Sequence, residues 1–244
     1  MSSVSISTVF EPARAERDES RRPPGAQRGH HLRMTGRSSS HYTRVARMAA
    51  HHLEVEFEFA VVDDLLALTP HTFAGHPGLK IPVLHVGDVA IWGTEAICGH
   101  LRRLSGAPAQ VLVMPAQIDD HVVSNAQELV WQAMQAQVQW RLGVSIGKLP
   151  PDHAYFRKVQ ASIEGILAWL DARVVDLLER LPAPREASVF ELTTFALVDH
   201  LRFCPTVDVR RYAQLCQFAD RWANRPEARL TPYAFDRQPS PLST

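Results

Sequence analysis

Three consecutive serines, Ser38-Ser39-Ser40, follow the alternating stretch His31-Leu32-Arg33-Met34-Thr35-Gly36 and precede a run with apolar residues at helical spacing. They therefore stand where a strand gives way to a helix. Serine at that junction is first of all an N-cap, and a capping hydroxyl can serve chemistry as well. Twelve histidines, with doublets at His30-His31 and His51-His52, raise the question of metal binding, but no Cys/His spacing or HExxH pattern accompanies them, so no metal is expected. The cysteines, Cys98, Cys204 and Cys216, are too scattered for a disulfide framework and include no CxxC pair, which fits a reducing cytosol. Trp131, Met134 and Trp140 recur at near-helical spacing, which suits either a packed core or the floor of an apolar pocket facing Ser40.

The chain that positions these groups has 244 residues, enough for two modest domains, each with its own core. Its 26 basic and 26 acidic side chains cancel, so there is no broad electrostatic footprint for nucleic acid or anionic lipid. No apolar run is long enough to span a bilayer, and the start lacks the apolar block of a secretory signal. A soluble cytoplasmic protein is expected. Residues 1–28 are rich in Ser, Arg, Glu and Pro without periodicity and read as a disordered tail. Glu11, Glu16, Asp18 and Glu19 argue against a transit peptide there.

After the strand ending at Gly36, Val45, Met48, Ala49 and His52 predict a helix over 42–53. The stretch Glu54-Val55-Glu56-Phe57-Glu58-Phe59 alternates strictly and predicts a strand with one exposed face. A loop with Pro70, Gly75, Pro77 and Gly78 leads to a hairpin, Ile81–Val86, Gly87-Asp88, Val89–Trp92, and to a helix from Glu95 to Leu104. One small mixed sheet covered by helices follows. Beyond the linker Ser105-Gly106-Ala107-Pro108 only helical periods remain, near 116–142, 152–181, 188–203 and 207–224, which predict a bundle. Ser188-Val189-Phe190-Glu191 matches a capping box, and Pro150-Pro151-Asp152 suits a helix start. The prolines after Pro226 predict an extended surface segment.

Taken together, Ser40-His41-Tyr42 with Arg44 and Arg47, then Ile81-Pro82-Val83-Leu84, then Gly93-Thr94-Glu95-Ala96-Ile97, resemble the N-terminal domain of glutathione transferases, and Trp222-Ala223-Asn224-Arg225-Pro226 resembles the end of that family's last helix. The resemblance covers about residues 30 to 225. Beyond the tail read from composition (1–28), it implies a thioredoxin-like glutathione-binding domain (29–105) and an all-helical domain with an extended tail (106–244). It also implies a cytoplasmic homodimer that takes glutathione as co-substrate, needs no metal, and attacks a small electrophilic apolar molecule, as in detoxification.

The resemblance assigns the catalytic hydroxyl to Ser40, with Ser39 and Ser38 as neighbouring candidates. A thiolate held at the positive end of a helix dipole is stabilised, and each unit of pKa depression is worth about 1.4 kcal/mol. His41 occupies the place of the family's proline. Pro82 resembles the family's cis-proline, whose isomer turns the backbone of Ile81 toward the cysteinyl part of glutathione; an ordinary trans edge-strand proline is the alternative. Thr94 would hold the γ-glutamyl end, where Gly93 stands in place of the usual acid, and Lys80, Glu95 and His41 complete the glutathione-contacting set. Glu95 is equally a first-turn acid favoured by the helix dipole. Tyr42, Trp131, Met134 and Trp140 are the candidates for the co-substrate pocket. The departure at Gly93 leaves a second implication open, a catalytically weak binding or interaction module with the same fold.

Overall fold

A computed structural model describes residues 31–236 of the chain; the tail expected over residues 1–28 lies outside them. Strand β1 (Leu32–Gly36) leads into helix α1 (His41–His52), and β2 (Glu58–Val61) returns parallel to β1, with Met34 opposite Phe59. The hairpin β3 (Val83–Val86) and β4 (Val89–Trp92) adds antiparallel strands on the other side of β1, giving the order β2-β1-β3-β4. Helix α2 (Thr94–Ser105) follows β4 directly and ends where Gly106 takes the left-handed conformation at φ 64°. Val45, Met48 and Ala49 of α1 and Ile97, Cys98 and Leu101 of α2 are fully buried, so the sheet is closed by apolar helix faces as the periodicity implies.

The second half is helical: α3 (His121–Trp140), α4 (Ala154–Asp171), α5 (Val174–Arg180), α6 (Val189–Phe203), α7 (Ala213–Trp222) and the short α8 (Pro226–Arg229). Helix α6 is apolar nearly all round, with Phe190, Leu192, Phe195, Ala196, Leu197 and Val198 fully buried, and therefore forms the centre of the bundle. It packs against α1 of the α/β half. Helix α1 thus carries the residues at its start along the seam between the two halves.

Five expectations need correction. The alternating stretch 54–59 is paired only from Glu58. Glu54 is left-handed at φ 55° and the Val55 N–H donates to the Ala50 carbonyl at 2.9 Å, so these residues terminate α1 instead of extending β2. The helix expected from 152 starts at Ala154, because the His153 ring rather than Asp152 caps it by accepting from the Tyr155 N–H, and it breaks at Ala172-Arg173. At α6 half of the capping box forms: Ser188 Oγ accepts from the Glu191 N–H, while the Glu191 carboxylate takes the Ser188 hydroxyl at 2.7 Å and Arg185 at 3.1 Å. A parallel pair, β5 (Leu112–Val113) with β6 (Ala187–Ser188), is too short to leave a period-2 signal. Finally, the segment after Pro226 is not simply extended: α8 buries Glu227 and Ala228, and Thr231 is buried behind it.

Buried charge fixes that docking. Burial would raise Glu227, but its contacts with His52 and Arg225 outweigh this and hold its carboxyl at about 2. The Arg44 guanidinium, buried between the rings of Phe195 and Tyr233, pairs with Asp199 of α6.

Candidate functional site

A cavity of about 890 Å³ opens where the α/β half meets the helical half. Three backbone features of the first half converge on it. At the first, Ser40 caps α1, its Oγ accepting from the Thr43 N–H at 3.2 Å. That bond uses an oxygen lone pair, and the hydroxyl proton has no acceptor among the described groups, so Ser40 can cap the helix and still donate into the cavity. The second is the Lys80-Ile81-Pro82 segment, where the Ile81–Pro82 bond is cis. The third is the start of α2, where Gly93 at φ 87° is the cap and supplies no side-chain oxygen. The first N–H groups of α2 therefore keep their capacity for an anion. Thr94 Oγ1 donates to the Tyr42 carbonyl at 3.4 Å, tying the two helix starts together. Glu95 faces the cavity, and partial burial raises its carboxyl.

The other candidates divide. Ser39 lines the cavity, and its carbonyl accepts from His200 Nε2 of α6 at 3.0 Å. Ser38 is turned to the C-terminal segment, its N–H bonded to Asp236 Oδ2 at 2.9 Å. His41 is 1% exposed, its ring packed 4.5 Å from that of His200 and 4.8 Å from that of Tyr42, so it offers no accessible nitrogen to a bound molecule. Tyr42 and Trp131 line the cavity as a stacked pair 5.6 Å apart, the Tyr42 hydroxyl donating to the Trp131 carbonyl. Burial, aided by Glu128, pushes the Tyr42 phenol up to about 12, so it is a neutral donor and not a phenolate. Met134 is fully buried and Trp140 packs on Phe156; both belong to the core rather than to the cavity wall.

Sequence reasoning missed the groups that the helical half contributes. His200 is held neutral, its pKa lowered to about 4 by burial and then by the charges of Arg141 and Arg44. Its signal was an Asp199-His200 pair inside an otherwise apolar helix. Arg141 opens a π-helical turn, Arg141–Ile146, directly after α3. Gly143 lies in that turn, and a Cβ there would stand 2.3 Å from the Phe156 ring, so only glycine lets the turn pack against α4. Phe235 reaches the cavity from the C-terminal segment, which is fastened by Asp236 to Arg37 and Ser38. No periodicity announces such a contact.

Fold and site together define a thioredoxin-like α/β half joined to a helical half with a cleft at their junction. Residues 39–104 match the model of the glutathione S-transferase N-terminal domain. The chain is similar to a glutathione S-transferase from Methylobacterium radiotolerans, solved in complex with glutathione sulfonate, with a TM-score of 0.68 and 20% identity over 85% of this chain and 97% of that one. It is similar to a glutathione S-transferase from Methylobacillus flagellatus with glutathione bound, at TM-score 0.67 and 20% identity over 83% and 100% of the two chains. A glutathione transferase from Populus trichocarpa gives 0.61 and 17% over 82% and 97%. No curated protein sequence matches the chain. The chain thus carries a glutathione S-transferase N-terminal domain over residues 39–104 and shares its fold with these structures.

Proposed function

We propose that the protein binds glutathione in this cleft and activates its thiol for attack on an apolar electrophile. What carries the reading is the convergence of two helix starts and the Ile81–Pro82 segment on one cavity, and the relatives solved with glutathione or its sulfonate support it. The backbone of Ile81 pairs with the cysteinyl part of the tripeptide. The N–H groups at the start of α2, that of Thr94 among them, hold the γ-glutamyl carboxylate, with Lys80 and Glu95 beside them. The thiol proton passes to water, Ser40 donates a hydrogen bond to the resulting sulfur anion, and the dipole of α1 adds to the preference for the thiolate. The sulfur then forms its bond to the electrophilic carbon, and the leaving group departs with its electron pair. Tyr42 and Trp131 supply the apolar surface on which that electrophile lies.

The functional unit is the glutathione-binding domain of residues 29–105 with the helical domain of 106–244, acting as a cytoplasmic homodimer that removes such electrophiles. Sedimentation at twice 27.3 kDa tests the dimer. Gly93 favours a second reading, because no carboxylate stands at that position to meet the substrate ammonium. Calorimetric titration with glutathione separates the two. Micromolar binding together with turnover of an activated aryl chloride supports the transferase, and millimolar or undetectable binding without turnover supports a catalytically weak binding or interaction module.

A further inference from the structure

The helical wall of the cavity carries a cation for which the glutathione reading has no use. Arg141 lines the cavity half-buried, and among the described residues its one hydrogen bond is to Ser145 Oγ of its own turn at 3.1 Å. Arg37, Arg44 and Arg185 each hold a carboxylate, while Arg47 and Arg102, covered much as Arg141 is, respectively lie over the Phe59 ring and bond to Gln117; Arg141 has neither an ion pair nor a ring beneath its guanidinium among the described residues. A guanidinium taken partly out of water without a counter-charge is costly, and its planar fork matches a carboxylate bidentately.

The surroundings point the same way. Val138, Leu142 and Ile146 make the wall around Arg141 apolar. The acids that line the cavity stand elsewhere: Glu95 is on α2, and Glu128 lies 13 residues earlier on α3, about 20 Å along the helix axis. The Arg141 charge nevertheless reaches the catalytic end, since it acts with burial on His200 and against burial on Cys204, both in the cavity wall. His200 in turn holds the Ser39 carbonyl, one residue from the Ser40 hydroxyl.

We infer that Arg141 recognises a carboxylate on the second substrate, so that the protein conjugates glutathione to apolar electrophiles bearing a carboxylate beside the reactive carbon, of the 4-aryl-4-oxobut-2-enoate kind. The inference rests on the transferase reading and names its substrate class. In the reaction the thiolate sulfur bonds to the alkene carbon next to the carboxylate, and the alkene electron pair moves through the ketone to its oxygen. The enolate then takes a proton from water at carbon, water having received the thiol proton, so that S–H adds across the double bond and nothing leaves.

The test compares 4-oxo-4-phenylbut-2-enoate with its methyl ester in the native protein, Arg141→Gln and Arg141→Lys, each kcat/KM divided by the uncatalysed rate. The native protein should favour the acid by about tenfold to a hundredfold, the worth of a charged hydrogen bond. Arg141→Gln should abolish that preference and Arg141→Lys should retain part of it. No preference in the native protein, or the same preference in Arg141→Gln, overturns the inference. In parallel, the unreactive 4-oxo-4-phenylbutanoate and its ester are titrated calorimetrically into the same proteins. If neither electrophile is turned over, the transferase reading fails, and this titration still decides the matter: acid binding that is tighter than ester binding and lost in Arg141→Gln supports carboxylate recognition. Equal binding, or none, overturns it.

Discussion

The two walls of the cleft are built from different materials. The wall of the α/β half presents backbone: a helix start capped by Ser40, the segment around Pro82, and a second helix start at Gly93. The wall of the helical half presents side chains: Trp131, Arg141 and His200, joined by Phe235 from the C-terminal segment. Backbone donors in fixed elements suit a constant ligand whose polar groups never change, whereas side chains can be exchanged without disturbing the fold. Under the proposed function, the first wall would hold a common co-substrate and the second a particular electrophile. His200 joins them, standing on α6 and bonding to the Ser39 carbonyl.

The sharpest way to break this comparison is Ser40→Ala. If the first wall stabilises the sulfur anion, the substitution lowers kcat/KM by about a hundredfold to a thousandfold, as loss of one preorganised donor does. Loss of the cap should cost only about 1 kcal/mol in urea unfolding. Equal rates for the two proteins would remove Ser40 from the mechanism.

His200 tests the joint between the walls through pH. Its folded pKa lies at about 4, below the ordinary 6.5, so the unfolded chain takes up the proton first. Stability is therefore full above pH 6.5 and falls as pH drops toward 4, by about 3 kcal/mol from this residue. His200→Gln keeps a donor for the Ser39 carbonyl and cannot titrate, so its urea midpoint should be flatter across that window. Glu227 acts at lower pH, its stabilisation being present above its ordinary value near 4.5 and lost as pH falls toward 2.

On the second wall, Trp131→Ala removes the ring stacked on Tyr42. It should raise KM for an apolar electrophile by about tenfold, while calorimetry finds glutathione affinity unchanged. An equal loss for both ligands would mean that the walls are not separable. The smallest effect is expected from Gly93→Ala: a Cβ at that position meets nothing within 4 Å, yet φ 87° strains any L side chain. Thermal unfolding should show a loss of about 1 kcal/mol.

The difference between the walls also separates what could be read from the chain. The stretch from Leu32 to Ser105 was legible because period-2 runs, the Gly87-Asp88 turn and the amphipathic α1 and α2 are local patterns. Ser40 was legible as a cap for the same reason. The strand at 54–57 was misread because alternation persists where Glu54 turns the chain out of α1, and the hydrogen bond from Val55 that decides this is invisible in residue types. His41 lines the cavity, but the burial of its ring was not legible, because helical phase does not say which neighbour will cover a ring, and here it is His200, far along the chain. Met134 and Trp140 carried the same ambiguity, since apolar residues on a helix serve core and pocket alike.

Local pattern by itself determined the succession of strands and helices along the chain and the two helix starts, since each depends on neighbours a few residues apart. Only tertiary packing decided which side chains of the bundle meet those helix starts. The meeting of Arg141, His200 and Phe235 at one cavity depends on α3, α6 and the C-terminal segment packing at set angles around α1. That packing follows from the shapes of many buried side chains acting at once, and no short stretch of sequence encodes it.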